Sequence, residues 1–147
     1  MIAIERLGPE DSAQAEIAVR AFKGSSRAAT SPEAFLRNSA NYLLVAEHKG
    51  EPVGILLAYR LERADREANQ MFVYEVGVAP AWRGRRLASA LIEEIKDLAR
   101  VEGMFEVFVL TSRSNAAARK LYARTGAVVE DDSAILFVYP MGLAGVA

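Results

Sequence analysis

Cysteine is absent from the 147 residues, which excludes disulfides, thiolate metal sites and a thiol nucleophile. Any group transfer must then run directly from donor to acceptor or through another side chain. Histidine is scarce too: His48 stands alone beside the turn signal Lys49-Gly50, so no metal is expected. Charge of neither sign is in excess, with 18 basic against 19 acidic residues. That balance lacks the basic surplus of a nucleic-acid binder, and the informative electrostatics must be local. Long apolar runs are missing: VGILLAY, the longest clean one, falls far short of the about twenty residues a membrane helix needs. The start, MIAIERLGPED, has no cationic segment ahead of an apolar run, so no signal peptide is expected. The expectation is a cytoplasmic protein with no nucleic-acid or membrane partner.

What is present suffices for one domain spanning 1–147. A chain of this length buries roughly 70% of the surface its unfolded form exposes. No linker, repeat or low-complexity block interrupts it, and only PMGLAGVA, from about residue 140, reads as a loose tail. IAIERL alternates as a strand. GPEDSAQAEIAVRAF reads as a helix with Pro9 at its first position and acids in its first turn. SPEAFLRNSA reads as a second, short helix capped by Ser31. NYLLVAEH and EPVGILLAYRLER form a hairpin about Lys49-Gly50, and QMFVYEVGV is the next strand.

From Arg83 to Val101 the apolar residues Leu87, Leu91, Ile95 and Leu98 follow helical spacing. MFEVFVL reads as a strand buried on both faces, SNAAARKLYARTG as a helix closed by Gly126, and AVVEDDSAILFVY as two short strands around an acidic turn. The order β-α-α-β-β-β-α-β-α-β-β predicts an α/β (α+β) domain, one mixed sheet with helices on both faces.

Two stretches carry chemistry. In VYEVGVAPAWRGRRLASALI a strand runs into a helix through a loop holding Gly84 and three arginines, Arg83, Arg85 and Arg86. A helix start already presents unpaired N–H groups and the positive end of the dipole, so arginines belong there when an anion is to be met. The alternative is a wet helix start. In SNAAARKLYARTG, Asn115 and Tyr122 lie seven residues apart, about 20 degrees from alignment and roughly 10 Å along the axis. They share one face, two turns apart, with Leu121 in the neighbouring core-facing sector.

Together, in this order and with a strand between them, these stretches resemble the GNAT superfamily of acetyl-CoA-dependent N-acetyltransferases, over roughly Tyr42 to Gly126. The resemblance implies a mixed, mostly antiparallel sheet of about seven strands flanked by about four helices. It implies that the main chain of Val76, Gly77 and Val78 pairs with the pantetheine arm of acetyl-CoA. The backbone of Arg83, Gly84, Arg85, Arg86, Leu87 and Ala88 would grip the pyrophosphate. Asn115 would bond the pantetheine and Tyr122 would face the sulfur. The family usually has glycine where this chain has Arg86, so the loop is expected either to keep an ordinary φ there or to shift.

Acetyl transfer to an amine needs a neutral nucleophile, a stabilised oxyanion and a fate for the thiolate. Glu75 lies in the apolar strand on the same face as Gly77, and a carboxylate there needs a partner or a wet cavity. Its two readings are a general base, direct or through water, and a structural partner of an arginine. Gly77 in mid-strand suggests a bulge or a close backbone approach.

Among subfamilies, VGILLAYRLERADREANQMFVYEVGV looks most like the aminoglycoside 3-N-acetyltransferases, including a Tyr-acid pair, Tyr74 and Glu75. Glu75 with Glu130, Asp131 and Asp132 would meet a polycationic small-molecule acceptor; alternatively, EDD is a solvated turn. Where that subfamily carries acids between its last strand and helix, this chain has TSRSNA. Other readings are an acetyltransferase of protein N-termini, since SNAAARKLYARTG also looks like the ribosomal-protein acetyltransferases, and a non-catalytic acetyl-CoA sensor. A homodimer is the assembly to test.

Overall fold

The computed structural model describes residues 1–24 and 32–143. The expected cap at Ser31 lies outside them. The elements follow the expected order through the fourth helix: β1 (Ala3–Arg6), α1 (Ser12–Lys23), α2 (Glu33–Arg37), β2 (Asn41–His48), β3 (Glu51–Leu61), β4 (Gln70–Val78), α3 (Leu87–Val101), β5 (Glu106–Val109) and α4 (Ala116–Arg124). The sheet runs β1-β2-β3-β4-β5, antiparallel except for the parallel pair β4 and β5. The family-like mixed sheet with four helices is therefore present, with five strands among the described residues rather than seven. The two strands expected in AVVEDDSAILFVY are unpaired: residues 127–143 carry no ladder, and Val128, Ile135, Leu136, Phe137 and Tyr139 are exposed.

Alternation along β2 explains why this sheet is covered twice. Tyr42, Leu44 and Ala46 point to one face and join Leu56, Met71, Val73 and the α3 residues Leu87, Leu91, Ile92 and Ile95 in the larger core. Leu43 and Val45 point to the other, where Leu7, Ala15, Ala18, Leu36 and Ile55 close a smaller core beneath α1 and α2. The hairpin at Lys49-Gly50 has positive φ at both residues, 51 and 79 degrees, as the turn that matches strand twist requires.

Two helices begin later than their sequence pattern suggests. Pro9–Asp11 forms a 3-10 turn, tied by the Asp11 carboxylate accepting from the Gly8 N–H at 2.8 Å, and α1 proper starts at Ser12. Likewise Pro80–Trp82 is a 3-10 turn and α3 starts at Leu87, not Arg83, because Gly84 and Arg86 both have positive φ. The strand MFEVFVL is shorter and wetter than expected. Only four residues pair, each half-buried, because β5 is the sheet's edge. Among the described residues no helix is long and apolar enough to cross a membrane.

Candidate active site

The site is organised by what happens to β4 after Val73. Up to that residue β4 pairs with β5, the last rung being Val73 with Val109. On its other side it stays paired with β3 as far as Val78 opposite Gly54. From Tyr74 to Val78 the strand is therefore bonded on one side only, and the two parallel strands part. The β3–β4 register breaks at the same place: Leu57 faces Glu75 and Ala58 faces Val73, leaving Tyr74 as the extra residue of a bulge.

That bulge sets the two faces. Val76 and Val78 pack on the larger core beneath α3. Tyr74 and Glu75 consecutively face the other side, toward α1. There the Tyr74 ring, 57% exposed, stands edge-on to Tyr59 at 5.8 Å and Phe72 at 5.9 Å, and Phe72 stacks on Phe108 at 4.7 Å. Of this aromatic wall beside Glu75 the sequence pointed to Tyr74 alone, although the other members sit at strand positions sharing its face. Gly77 lies at a close approach: a Cβ there would meet Phe22 of α1 and Ile55, each at 3.3 Å. The bulge itself is three residues earlier.

The same approach of α1 brings Lys23, in its last turn, onto Glu75, with Nζ donating to Oε2. The partner of Glu75 is thus a lysine 52 residues away, not an arginine. Both side chains are about one-third exposed or less, 27% for Lys23 and 31% for Glu75.

At the far end of β4 a cleft of about 310 Å³ is lined by Val78, Trp82, Arg83, Gly84, Arg86, Leu87, Ala88 and Arg124. The first intrahelical bond of α3 runs from the Ala90 N–H to the Arg86 carbonyl, so the N–H groups of Leu87, Ala88 and Ser89 have no partner within the helix. No side chain caps this start. Arg83 donates to the Val78 carbonyl at 3.4 Å, and Arg85, not itself a lining residue, lies over the Trp82 ring at 4.7 Å. Arg124, at the end of α4, enters from 35 residues away and holds Ser89 Oγ at 3.0 Å. Its place there is a product of tertiary packing, with no signal in the sequence.

Arg86 corrects the loop expectation. Its φ of 63 and ψ of 19 degrees place it in the left-handed region. The loop neither relaxed to an ordinary angle nor moved aside: it kept the turn a glycine would make, at about 1–2 kcal/mol for a residue with a Cβ.

On α4, Asn115 is the N-cap, its Oδ1 accepting from the Ala118 N–H at 3.0 Å, which leaves its amide nitrogen to donate elsewhere. Tyr122 packs against the larger core and lines a second cleft of about 280 Å³ with Val73, Ile92, Val107 and Val109. Burial pushes its hydroxyl above the usual tyrosine range, and among the described residues that hydroxyl has no hydrogen-bond partner. Glu75 and Tyr122 thus belong to opposite faces of the sheet, on either side of the parting between β4 and β5. Glu130, Asp131 and Asp132 are exposed: Asp131 is held below the usual carboxylate range by the Ser133 hydroxyl and N–H, and Asp132 pairs with Arg113 at 3.5 Å.

Comparison with known proteins identifies the fold and the family. An L-2,4-diaminobutyric acid acetyltransferase of Nocardia farcinica (strain IFM 10152) is 34% identical over 104 residues, covering 70% of this chain and 50% of that protein. The chain spans half or less of the curated relatives it matches. Among solved structures, an aminoglycoside acetyltransferase from an uncultured soil metagenomic sample, in complex with sisomicin, superposes with a TM-score of 0.85 at 22% identity, covering 95% of this chain and 96% of the other. A second aminoglycoside acetyltransferase from such a sample reaches 0.82 at 28% identity, covering 95% and 98%. The acetyltransferase (GNAT) family matches residues 12–127, and the chain belongs to that family.

Proposed function

We propose that this protein is an N-acetyltransferase that takes the acetyl group of acetyl-CoA directly to a primary amine of a cationic small molecule, with an aminoglycoside, acetylated in the 3-N manner, as the first acceptor to test. The observation that carries the reading is the parting of β4 from β5 between two unlike surfaces. One holds the arginine-lined cleft and the uncapped start of α3; the other holds Glu75 and the aromatic wall. The residues fit the donor. Val76, Gly77 and Val78 offer main-chain groups free on the β5 side, and Arg83 to Ala88 offer amides and guanidinium groups suited to a pyrophosphate. Asn115 would donate to the pantetheine through its amide nitrogen.

A bound thioester supplies an activated acyl carbon and a leaving thiolate. The new N–C bond forms as the C–S bond breaks, so the amine must lose a proton and the sulfur must be stabilised. Bringing a lysine-like amine to its neutral form at pH 7 costs about 4–5 kcal/mol. Glu75 is assigned to that proton, directly or through water. It already holds an ammonium, that of Lys23, which supports an ammonium-bearing acceptor on this face. Tyr122, kept protonated by burial, donates to the developing thiolate from the opposite face.

The acceptor class rests on Glu75 and the wall, together with the relatives: one an acetyltransferase of a diamino acid, one an aminoglycoside acetyltransferase crystallised with sisomicin. Glu130, Asp131 and Asp132 are assigned a secondary part, since two of the three are held by Ser133 and Arg113.

Thiol release from acetyl-CoA with aminoglycosides, diamino acids, polyamines and peptides tests the reading. Turnover with aminoglycosides confirms it, turnover with peptides alone makes this a protein-directed enzyme, and binding without turnover makes it a sensor. Glu75→Gln removes the acceptor of the proton at constant size. We expect kcat/KM near neutral pH to fall about 100-fold, partly recovering as pH rises and free amine accumulates.

A further inference from the structure

The chain has four lysines, Lys23, Lys49, Lys96 and Lys120, and the fold treats one of them unlike the rest. Lys49 stands exposed in the turn after β2, and Lys120 is exposed on α4. Lys96 is tied to its own neighbourhood, Nζ donating to Glu93 Oε1 at 3.0 Å and to the Thr125 carbonyl at 2.7 Å. Lys23 lies on Glu75, the carboxylate assigned above to the acceptor's proton.

This contact follows from the packing of α1. Gly77 lets the helix come down on β4, since a Cβ there would stand 3.3 Å from Phe22, the residue before Lys23. The helix then stops at once, Gly24 taking a φ of 84 degrees, and its last side chain is delivered to β4 just past the parting from β5. Glu75 adjoins Val76, where the main chain assigned to the donor's arm begins. The inference rests on that reading of Glu75 and of the donor site. A general base acts on an amine within hydrogen-bond reach, so the acceptor nitrogen must stand where the Lys23 nitrogen now stands. Until an acceptor displaces it, the amine held beside the thioester is the protein's own, and an amine already in place reacts without a capture step.

We infer that, with acetyl-CoA bound and no acceptor present, the enzyme acetylates its own Lys23. Glu75 takes one proton from the ammonium and passes it to water. The Nζ lone pair forms the N–C bond as the C–S bond breaks; a second proton leaves with the sulfur as free thiol, and the third stays on the amide. The charge of Lys23 is lost, which leaves the Glu75 carboxylate to an incoming ammonium.

The test is to incubate the full chain with acetyl-CoA carrying an isotopically labelled acetyl group, without added amine, and to map the label by mass spectrometry. One label per chain is expected at Lys23, gained at least about tenfold faster than at the exposed Lys49 and Lys120, at a rate unchanged by diluting the protein. Chemical acetylation favours the exposed lysines instead. Glu75→Gln should slow the labelling of Lys23 by about 100-fold. Lys23→Arg, which keeps the charge, should abolish the single release of thiol per chain. Label spread over the lysines at similar rates, labelling that slows on dilution, or labelling of Lys23 that survives Glu75→Gln overturns the inference. Thiol release with added amines separates it from the reading beneath it. Turnover of an added amine, with Lys23 unlabelled when that amine is left out, overturns self-acetylation alone; no release with any amine and no label overturns the reading of the site as well.

Discussion

The starts of α3 and α4 solve the same problem in opposite ways. Every helix leaves its first N–H groups without internal partners. At α4 the chain supplies the remedy itself, because Asn115 caps the helix with its own carbonyl oxygen. At α3 it supplies none, and it adds Arg86 in a strained conformation beside Arg83 and Gly84. A helix whose ends are satisfied internally can commit only side chains to a ligand; one left open can commit its backbone. In the proposed enzyme this divides the labour, α3 receiving the pyrophosphate and α4 presenting Asn115 and Tyr122.

The largest effect should come from the side-chain half. Tyr122→Phe keeps the ring and removes the hydroxyl, which has no partner to lose among the described residues. We expect kcat to fall about 10- to 1000-fold, acetyl-CoA affinity to stay within a few-fold, and the melting temperature to hold. A destabilised variant with full turnover would move Tyr122 out of the site. Next, Arg86→Asp attacks the backbone half by placing a carboxylate where an anion is to bind. An increase of about 30-fold in KM for acetyl-CoA is expected, with stability unchanged or higher, because Asp tolerates the left-handed region and suits a helix start. An unaltered KM would return this loop to the wet-helix alternative.

Asn115→Ala should separate capping from binding. Loss of the cap costs about 1 kcal/mol, roughly 2–4 °C in melting temperature for a chain this size. Asn115→Asp should restore the melting temperature, since it keeps the acceptor. If the amide nitrogen bonds the pantetheine, both variants raise KM by a few-fold; if neither does, Asn115 is a cap alone.

The smallest effect is a pH dependence shared by Tyr42, Tyr59 and Tyr122, all pushed above the ordinary tyrosine value chiefly by burial. A folded pKa above the unfolded one contributes stability that is full below about pH 10 and is lost as pH rises through the folded value. Urea midpoints measured from pH 8 to 11 should therefore decline above pH 10, less steeply in Tyr122→Phe.

How much of this was legible in the sequence depended on how local the cause was. The bounds of β2 and β4 followed from β-rich runs set off by a turn signal and a polar stretch, and the close approach at Gly77 followed from a glycine in mid-strand. The late start of α3 did not, because helical spacing from Leu87 onward cannot show that Arg86 sits at positive φ. Lys23 on Glu75 and Arg124 beside Ser89 join residues 52 and 35 positions apart, and only the packing of α1 and α4 brings them there. AVVEDDSAILFVY was read as strands from its composition, but composition names no partner, and residues 127–143 pair with no strand among the described residues.

The bulge at Tyr74 has a consequence for how β4 can change over time. Before it, odd-numbered residues face α3; after it, even-numbered ones do. A one-residue deletion earlier in β4 that kept the bulge would invert everything downstream, sending a carboxylate into the larger core and two valines toward α1. Removing Tyr74 itself leaves every other side chain on its present face. Length variation in this strand is therefore tolerable at one position, and that position belongs to the aromatic wall beside Glu75, so the wall can be resized without rewriting the fold.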